Sequence, residues 1–408
     1  MKILCKYTPQ YVAKICSYGL CILALALASL PSLADDSSFE FSGFGRIVSG
    51  AIDDDSLSFV GYDNELSFSE QSLLAIRGDF SYSEKLSVVA QVLGHSGESR
   101  KSGVQWLYLQ YEPTTNLSFK LGRQRIPFFN YSDVIDVGFA YDWISPPIQV
   151  YTNYVFSDFD GLTSRYKYSA SSITGSLNAY YGFFEGELVV SGDRREADVQ
   201  YVFGLAGDAQ WRNFLFSAAY HEGSVSVINQ ELSGFQDVLR QLNFLQSANS
   251  LDIDGNASFY KLGLSYETID YYIRSEFTAI RSDILFVPDL DAGYLSMGYH
   301  FPAVLLHATL ASSDAQYGSF PSEIPFGVNP QLDALGFGYQ QVINSLPVDS
   351  LDSFTVGIRY DYTINIALKA ELSFLSGKQG DRAFFDVIDS TSQKPEALLY
   401  QFAVEWIF

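Results

Sequence analysis

Apolar and polar residues alternate with a period of two along most of this chain. The clearest run closes it: Leu398, Tyr400, Phe402, Val404, Trp406 and Phe408 share one parity, with Gln401 and Glu405 on the other. Such alternation predicts a β-strand with one large apolar face. Segments of the same kind, each about ten residues long, predict sixteen strands. They fall at 39–51, 71–83, 84–94, 103–113, 116–126, 158–168, 171–183, 199–211, 212–222, 256–267, 270–282, 291–301, 303–312, 352–363, 364–375 and 397–408.

The connections alternate as regularly as the strands. Short ones lie at Ser83-Glu84, Pro113-Thr114-Thr115, Ser169-Ala170, Arg212-Asn213, Thr268-Ile269, Pro302 and Thr363. Longer ones span 52–70, 95–102, 127–157, 184–198, 223–255, 283–290, 313–351 and 376–396. Short turns on one rim and long loops on the other are the pattern of a transmembrane antiparallel up-and-down β-barrel. Two-layer soluble sandwiches do not need that alternation.

Parity separates two environments. In 352–363, Phe354, Val356, Ile358, Tyr360 and Tyr362 oppose Thr355, Gly357, Arg359 and Asp361. In 364–375, Ile366, Leu368, Leu372 and Phe374 oppose Asn365, Lys369, Glu371 and Ser373. A Lys or Arg at the lipid midplane costs about 2–4 kcal/mol, so the charged parity is expected to face a wet interior. Sixteen strands close around an aqueous channel. By this parity Arg46, Arg77, Arg165, Lys167, Lys261, Arg274, Arg359 and Lys369 point inward.

Composition adds an address. Lys2, Lys6 and Lys14 precede an apolar run from Gly19 to Leu30, and Ser32-Leu33-Ala34 offers a cleavage site. Residues 1–34 therefore read as a secretory signal peptide, leaving one barrel domain at 35–408. Cys5, Cys16 and Cys21 all lie in this leader, so the mature chain has no disulfide. Three of the 25 basic residues leave with the leader, and 22 remain against 47 acidic ones. That acidity argues against a nucleic-acid partner. It suits surface divalent cations beside lipopolysaccharide. The 28 Tyr and 32 Phe suit girdles at membrane interfaces.

The terminal strand resembles that of Gram-negative outer-membrane barrels, whose final Phe helps the barrel assembly machinery recognise them; Phe408 stands there. Gly43-Phe44-Gly45-Arg46, Gly122-Arg123 and Phe159-Asp160-Gly161-Leu162 resemble the general porins in order and spacing. The resemblance implies an outer-membrane homotrimer with a long third loop folded into the pore. It places Arg123 at the position of a constriction arginine, and Asp133, Asp136 and Asp142 on the in-folded loop opposite the basic wall. Arg123 shares the parity of Leu117, Phe119 and Leu121, so a bulge or the strand end is expected to turn it inward. Tyr141-Asp142-Trp143 and Pro146-Pro147 depart from the enteric pattern, and Asn153 stands where a further arginine is usual. This marks a divergent branch and leaves the preferred solute open.

Opposed basic wall and acidic loop would set a transverse field that orients polar solutes. The competing reading is that these charges merely solvate the lumen or pair with each other: Arg77 with Asp79, Arg274 with Glu276, Lys369 with Glu371. Leu232, Phe235, Val238, Leu239, Leu242 and Leu245 have helical spacing and predict a short helix capping the long-loop mouth. Asp53-Asp54-Asp55, Asp252 and Asp254 lack a calcium-loop register. The four histidines, His95, His221, His300 and His307, have no metal-ligand spacing, and neither a Gly-x-Ser-x-Gly elbow nor a phosphate loop occurs. The sequence thus reads as a porin without enzymatic activity, cofactor or metal, passing small hydrophilic solutes. A substrate-selective channel, or a barrel with an adhesive or structural role, is the alternative.

Overall fold

The computed structural model describes residues 37–97, 102–151, 157–190, 193–227, 230–387 and 394–408. The leader at 1–34 and Asn153 lie outside these residues. Sixteen strands form one closed antiparallel barrel. They are β1 (Ser38–Ile52), β2 (Leu73–Ser83), β3 (Leu86–His95), β4 (Gly103–Thr114), β5 (Leu117–Arg125), β6 (Asp158–Ala170), β7 (Ile173–Val190) and β8 (Asp193–Trp211). Then follow β9 (Phe214–Val227), β10 (Asp254–Glu267), β11 (Tyr271–Ser282), β12 (Asp289–His300), β13 (Val304–Gln316), β14 (Leu351–Thr363), β15 (Ile366–Gly377) and β16 (Glu396–Ile407). Every strand pairs with its sequence neighbour, and β1 closes on β16 from Phe44↔Ile407 to Ile52↔Leu399. Closure leaves no barrel edge unpaired at the seam.

The predicted alternation is present on the wall. Leu121, Leu162, Leu177, Tyr181, Leu262, Leu310 and Phe402 are exposed on the outward parity. Arg46, Lys261, Glu276, Lys369, Glu371, Gln401 and Glu405 are buried on the inward parity. The short-turn rim carries outward aromatics on strand after strand: Tyr82, Tyr111, Tyr166, Trp211, Tyr271, Tyr299 and Tyr362 are all exposed. Among the described residues no helix is long and apolar enough to cross a membrane.

One long connection was misread. The expected loop at 184–198 belongs instead to β7 and β8, which are 18 and 19 residues long and pair as far as Val190↔Asp193. The β-prone run Leu188-Val189-Val190 ahead of Ser191-Gly192 was the available hairpin signal.

The long-loop rim carries the helices. The expected helix is α2 (Gln230–Gln241), followed by α3 (Leu245–Asn249). It packs on α4 (Pro330–Asn344), a helix within the expected 313–351 connection. Asn329 caps α4 by accepting a hydrogen bond from the Leu332 amide, and Pro330 sits in its first turn. Leu239, Ala248, Leu251, Ile324 and Tyr339 form the cap's own apolar core. The Tyr339 hydroxyl donates to the Pro321 carbonyl at 2.6 Å. Two short strands, Leu57–Phe59 and Phe385–Val387, pair across the first and last long connections. Tyr62 and Phe385 are buried with them over the seam.

Candidate functional site

The segment between β5 and β6 is the third long connection, and inward side chains of distant strands hold it. Its aromatic residues Phe128, Phe129, Tyr141, Trp143 and Tyr151 bury against Phe159, Phe259, Tyr294 and Ala311 on the wall. A short helix, α1 (Ile148–Tyr151), ends its described part. Apolar packing fixes where the segment lies, and polar contacts fix its turns.

Most of those contacts come from β1 and from β10 to β15, with Ser217 on β9 also donating to the Asn130 side chain at 2.7 Å. Arg46 donates to the Tyr141 hydroxyl at 3.1 Å and to the Ile144 carbonyl at 3.2 Å. Lys369 donates to three carbonyls, of Gly138 at 2.9 Å and of Tyr141 and Trp143 at 2.7 Å. Its charge is met by Glu405 at 2.6 Å, with both side chains fully buried. Gly138 is required here, because a Cβ would fall on the Glu405 carboxylate. Arg359 donates to the Phe139 and Tyr141 carbonyls, each at 2.9 Å. Glu371 accepts from the Ile144 amide at 2.9 Å, and Glu276 from the Asn130 amide at 2.9 Å. Lys261 donates to the Asn130 side chain at 2.6 Å, and the Trp143 indole donates to Thr309 at 2.8 Å. Burying Arg46, Lys369 and Glu405 is tolerable because Arg46 makes three hydrogen bonds and Lys369 and Glu405 pair with each other.

Two of the three acidic residues assigned to the pore are spent on the same task. Asp142 pairs with Arg274 at 2.7 Å. Asp136 pairs with Arg125 at 2.7 Å, both side chains almost fully buried. Asp133 alone of the three is exposed. Burial pushes the Tyr131 phenol up to about 12. It raises Tyr141 as well, against the pull of the Arg46 guanidinium, and the Tyr141 hydroxyl donates to the Ile135 carbonyl at 2.9 Å.

The assignment of Arg123 to the constriction is corrected. No bulge intervenes: β5 and β6 run in unbroken register from Leu117↔Tyr166 to Arg125↔Asp158. Arg123 keeps its outward parity and pairs with Asp160 at 2.8 Å, both partly exposed. The pair sits two positions from the strand end, with Phe183 opposite Asp160 on β7. An outward arginine is tolerated there by a bidentate carboxylate rather than by turning inward. Arg125, which the sequence reading passed over, is the arginine that reaches the loop, bonding the Ser132 carbonyl as well as Asp136. Its position at the last residue of the strand was the signal.

The internal pairings fare unevenly. Arg77 does pair with Asp79 at 2.7 Å. Arg274 turns from Glu276 to Glu267 and Asp142, and Lys369 turns from Glu371 to Glu405. Glu371 lies instead 3.3 Å from His307.

The remaining inward charges stand on the opposite wall. Arg165 and Lys167 on β6 are exposed, and Arg165 reaches Ser176 at 3.3 Å. Lys120, another residue missed in the sequence, lies on β5 with its ammonium 4.9 Å from the Tyr108 ring centre. Arg77 lies 5.3 Å from the Trp106 ring centre. Gln110, Glu112, Asn178 and Asp208 share this face, all partly exposed. The aspartates weighed as calcium ligands serve local bonds: Asp53 accepts from the Leu398 amide, Asp54 from Ser56, and Asp252 from Gln236. Among the described residues no cluster of acidic, His or Cys side chains could hold a metal.

No protein-family profile and no curated protein matches this chain. Solved structures do. An anion-selective porin from Comamonas acidovorans superposes with a TM-score of 0.57 at 12% identity, over 91% of this chain and 100% of that one. In-vitro folded OmpT, an outer membrane protein of Vibrio cholerae, in a trimer form, gives 0.54 at 14% identity over 92% and 100%. Salmonella typhi OmpF in complex with daunomycin gives 0.54 at 11% identity over 92% and 98%. The chain therefore has the fold of the sixteen-stranded Gram-negative porins, in a divergent form.

Proposed function

We propose that this chain is an outer-membrane porin: a water-filled, passive channel for small hydrophilic solutes and ions, carrying no bond-making chemistry. The observation that carries this reading is the split interior. The 126–157 loop is bonded to inward charges on β1 and β10–β16, while on β2–β8 Arg165 and Lys167 are exposed and Arg77 and Lys120 are partly exposed. The loop then folds into the lumen, and an off-axis aqueous path runs between it and the β2–β8 wall. Arg77, Lys120, Arg165 and Lys167 would line that path, with Asp133 on the loop opposite them. Exposed charges beside a narrow passage act on solutes, whereas charges buried in pairs do not.

The outward apolar face and its aromatic rim fit a lipid bilayer, with lipopolysaccharide at the acidic long-loop side. Export by the 1–34 leader, handling of Phe408 by the barrel assembly machinery and assembly as a homotrimer complete the proposal. A trimer is the form described for the similar OmpT. The test is conductance of the purified chain in planar bilayers. Stepwise, ohmic channels and solute flux linear in concentration are expected. Saturable flux would point to a substrate-selective channel, and no conductance to an adhesive or structural barrel.

A further inference from the structure

The outward side of the seam pairs two glycines with two aromatic rings. Gly43 and Phe408 exchange both backbone hydrogen bonds at 2.9 Å, and Gly45 stands opposite Trp406. A Cβ on Gly45 would lie 2.4 Å from the Trp406 ring, and one on Gly43 would lie 2.3 Å from the Phe408 ring and 2.7 Å from the Ala75 carbonyl oxygen. Neither glycine has a positive φ, so backbone conformation does not require them. The missing side chains are what the rings need. Phe41 adds a third ring, with its centroid 6.2 Å from that of Phe408.

We propose that Gly43 and Gly45 are sockets for Phe408 and Trp406 that set the register in which the barrel closes. A slip of one residue is already excluded, because it would turn every side chain of β16 to the wrong face. A slip of two keeps parity and is the plausible error. It would drive Phe408 onto Phe41 in one direction, or Trp406 onto Ile47 in the other. The register of the last pair fixes the shear of the whole barrel, and with it the diameter. Aromatic packing over a glycine across strands is a known way to pin a register. The terminal aromatics would thus act after membrane delivery, by shape, independently of any recognition of Phe408 and of whether the barrel conducts.

The mature chain lacks cysteine, so engineered pairs report register cleanly. Val48 and Ala403 face each other in the native register. They alternate with the hydrogen-bonded Gly43–Phe408 type of pair, which brings their Cβ atoms close enough for a disulfide. Purified chains would be refolded into lipid without assembly factors, in three backgrounds: Val48→Cys/Ala403→Cys for the native register, and Val48→Cys/Gln401→Cys or Ile52→Cys/Gln401→Cys for the two slipped ones. Unaltered sockets should crosslink only the first pair. Adding Gly45→Val should cut the native crosslink at least fivefold, with slipped crosslinks or open, unfolded-running chains in its place. Adding Trp406→Ala to that variant should restore the native crosslink, because the Trp406 ring is what a Gly45 side chain would meet. Native closure at full yield with the valine present would overturn the proposal. So would loss of closure that ring removal fails to repair.

Discussion

The two halves of the interior carry the same residue types and treat them differently. On β1 and β10–β16, Arg46, Lys261, Arg274, Arg359 and Lys369 each meet an atom of the 126–157 loop. On β2–β8, Arg77 pairs with Asp79 on its own strand and lies over Trp106 on β4, and Arg165 and Lys167 are exposed. Inward parity therefore says that a charge avoids lipid. It does not say whether the charge serves the passage or the scaffold, which depends on partners 95 to 231 residues away in sequence.

Substitutions on the two walls should separate these roles. The largest effect is expected at Lys369→Met, which leaves Glu405 buried and unpaired and frees three loop carbonyls. Breaking such a pair costs about 3–5 kcal/mol. A clear drop in the heat-modification temperature, with noisy and enlarged conductance, is expected. Replacing both partners, Lys369→Met with Glu405→Leu, should recover part of the stability, because no lone charge then stays buried.

Asp136→Asn should act next. It leaves Arg125 buried beside a neutral amide at the loop's start, where a charged hydrogen bond is worth about 1.5–3 kcal/mol. Limited proteolysis near Ser132 should speed up, with a smaller change in melting than Lys369→Met gives. Lys120→Glu and Arg165→Glu should leave melting nearly unchanged but move the reversal potential under a KCl gradient toward cation selectivity. Arg359→Gln should do the reverse: destabilise the loop with little shift in potential. Arg123→Ala should have the smallest effect, at most about 1 kcal/mol for an exposed pair and no shift in potential. A potential shift at Arg123 as large as at Lys120 would return Arg123 to the pore.

The fold was largely legible because a barrel repeats one local rule sixteen times. Each predicted strand has its counterpart, and Phe354 and Arg359 fall on the faces their parity assigned. The misses have local causes. Strands β7 and β8 run on through the expected loop at 184–198. Helix α4 is only weakly amphipathic, so Asn329-Pro330 carried its signal rather than periodicity. The site was legible by parity and illegible by partner. Arg123 was chosen for its neighbours in sequence, while Arg125 does the loop's work by curling inward at a strand end. Glu371 and Glu405 lie on the polar parity of their strands, but nothing local distinguishes a loop anchor from a pore charge.

The central claim is that the passage follows the β2–β8 wall and that the opposite wall is closed by the loop. Single cysteines at Asn178 on β7 and Ser373 on β15 test it directly, both on inward parity, the first partly exposed and the second buried. A charged thiol reagent added during single-channel recording should change the conductance of Asn178→Cys within the recording and leave Ser373→Cys unaffected. Equal block at both positions, or block at Ser373→Cys alone, would contradict the account.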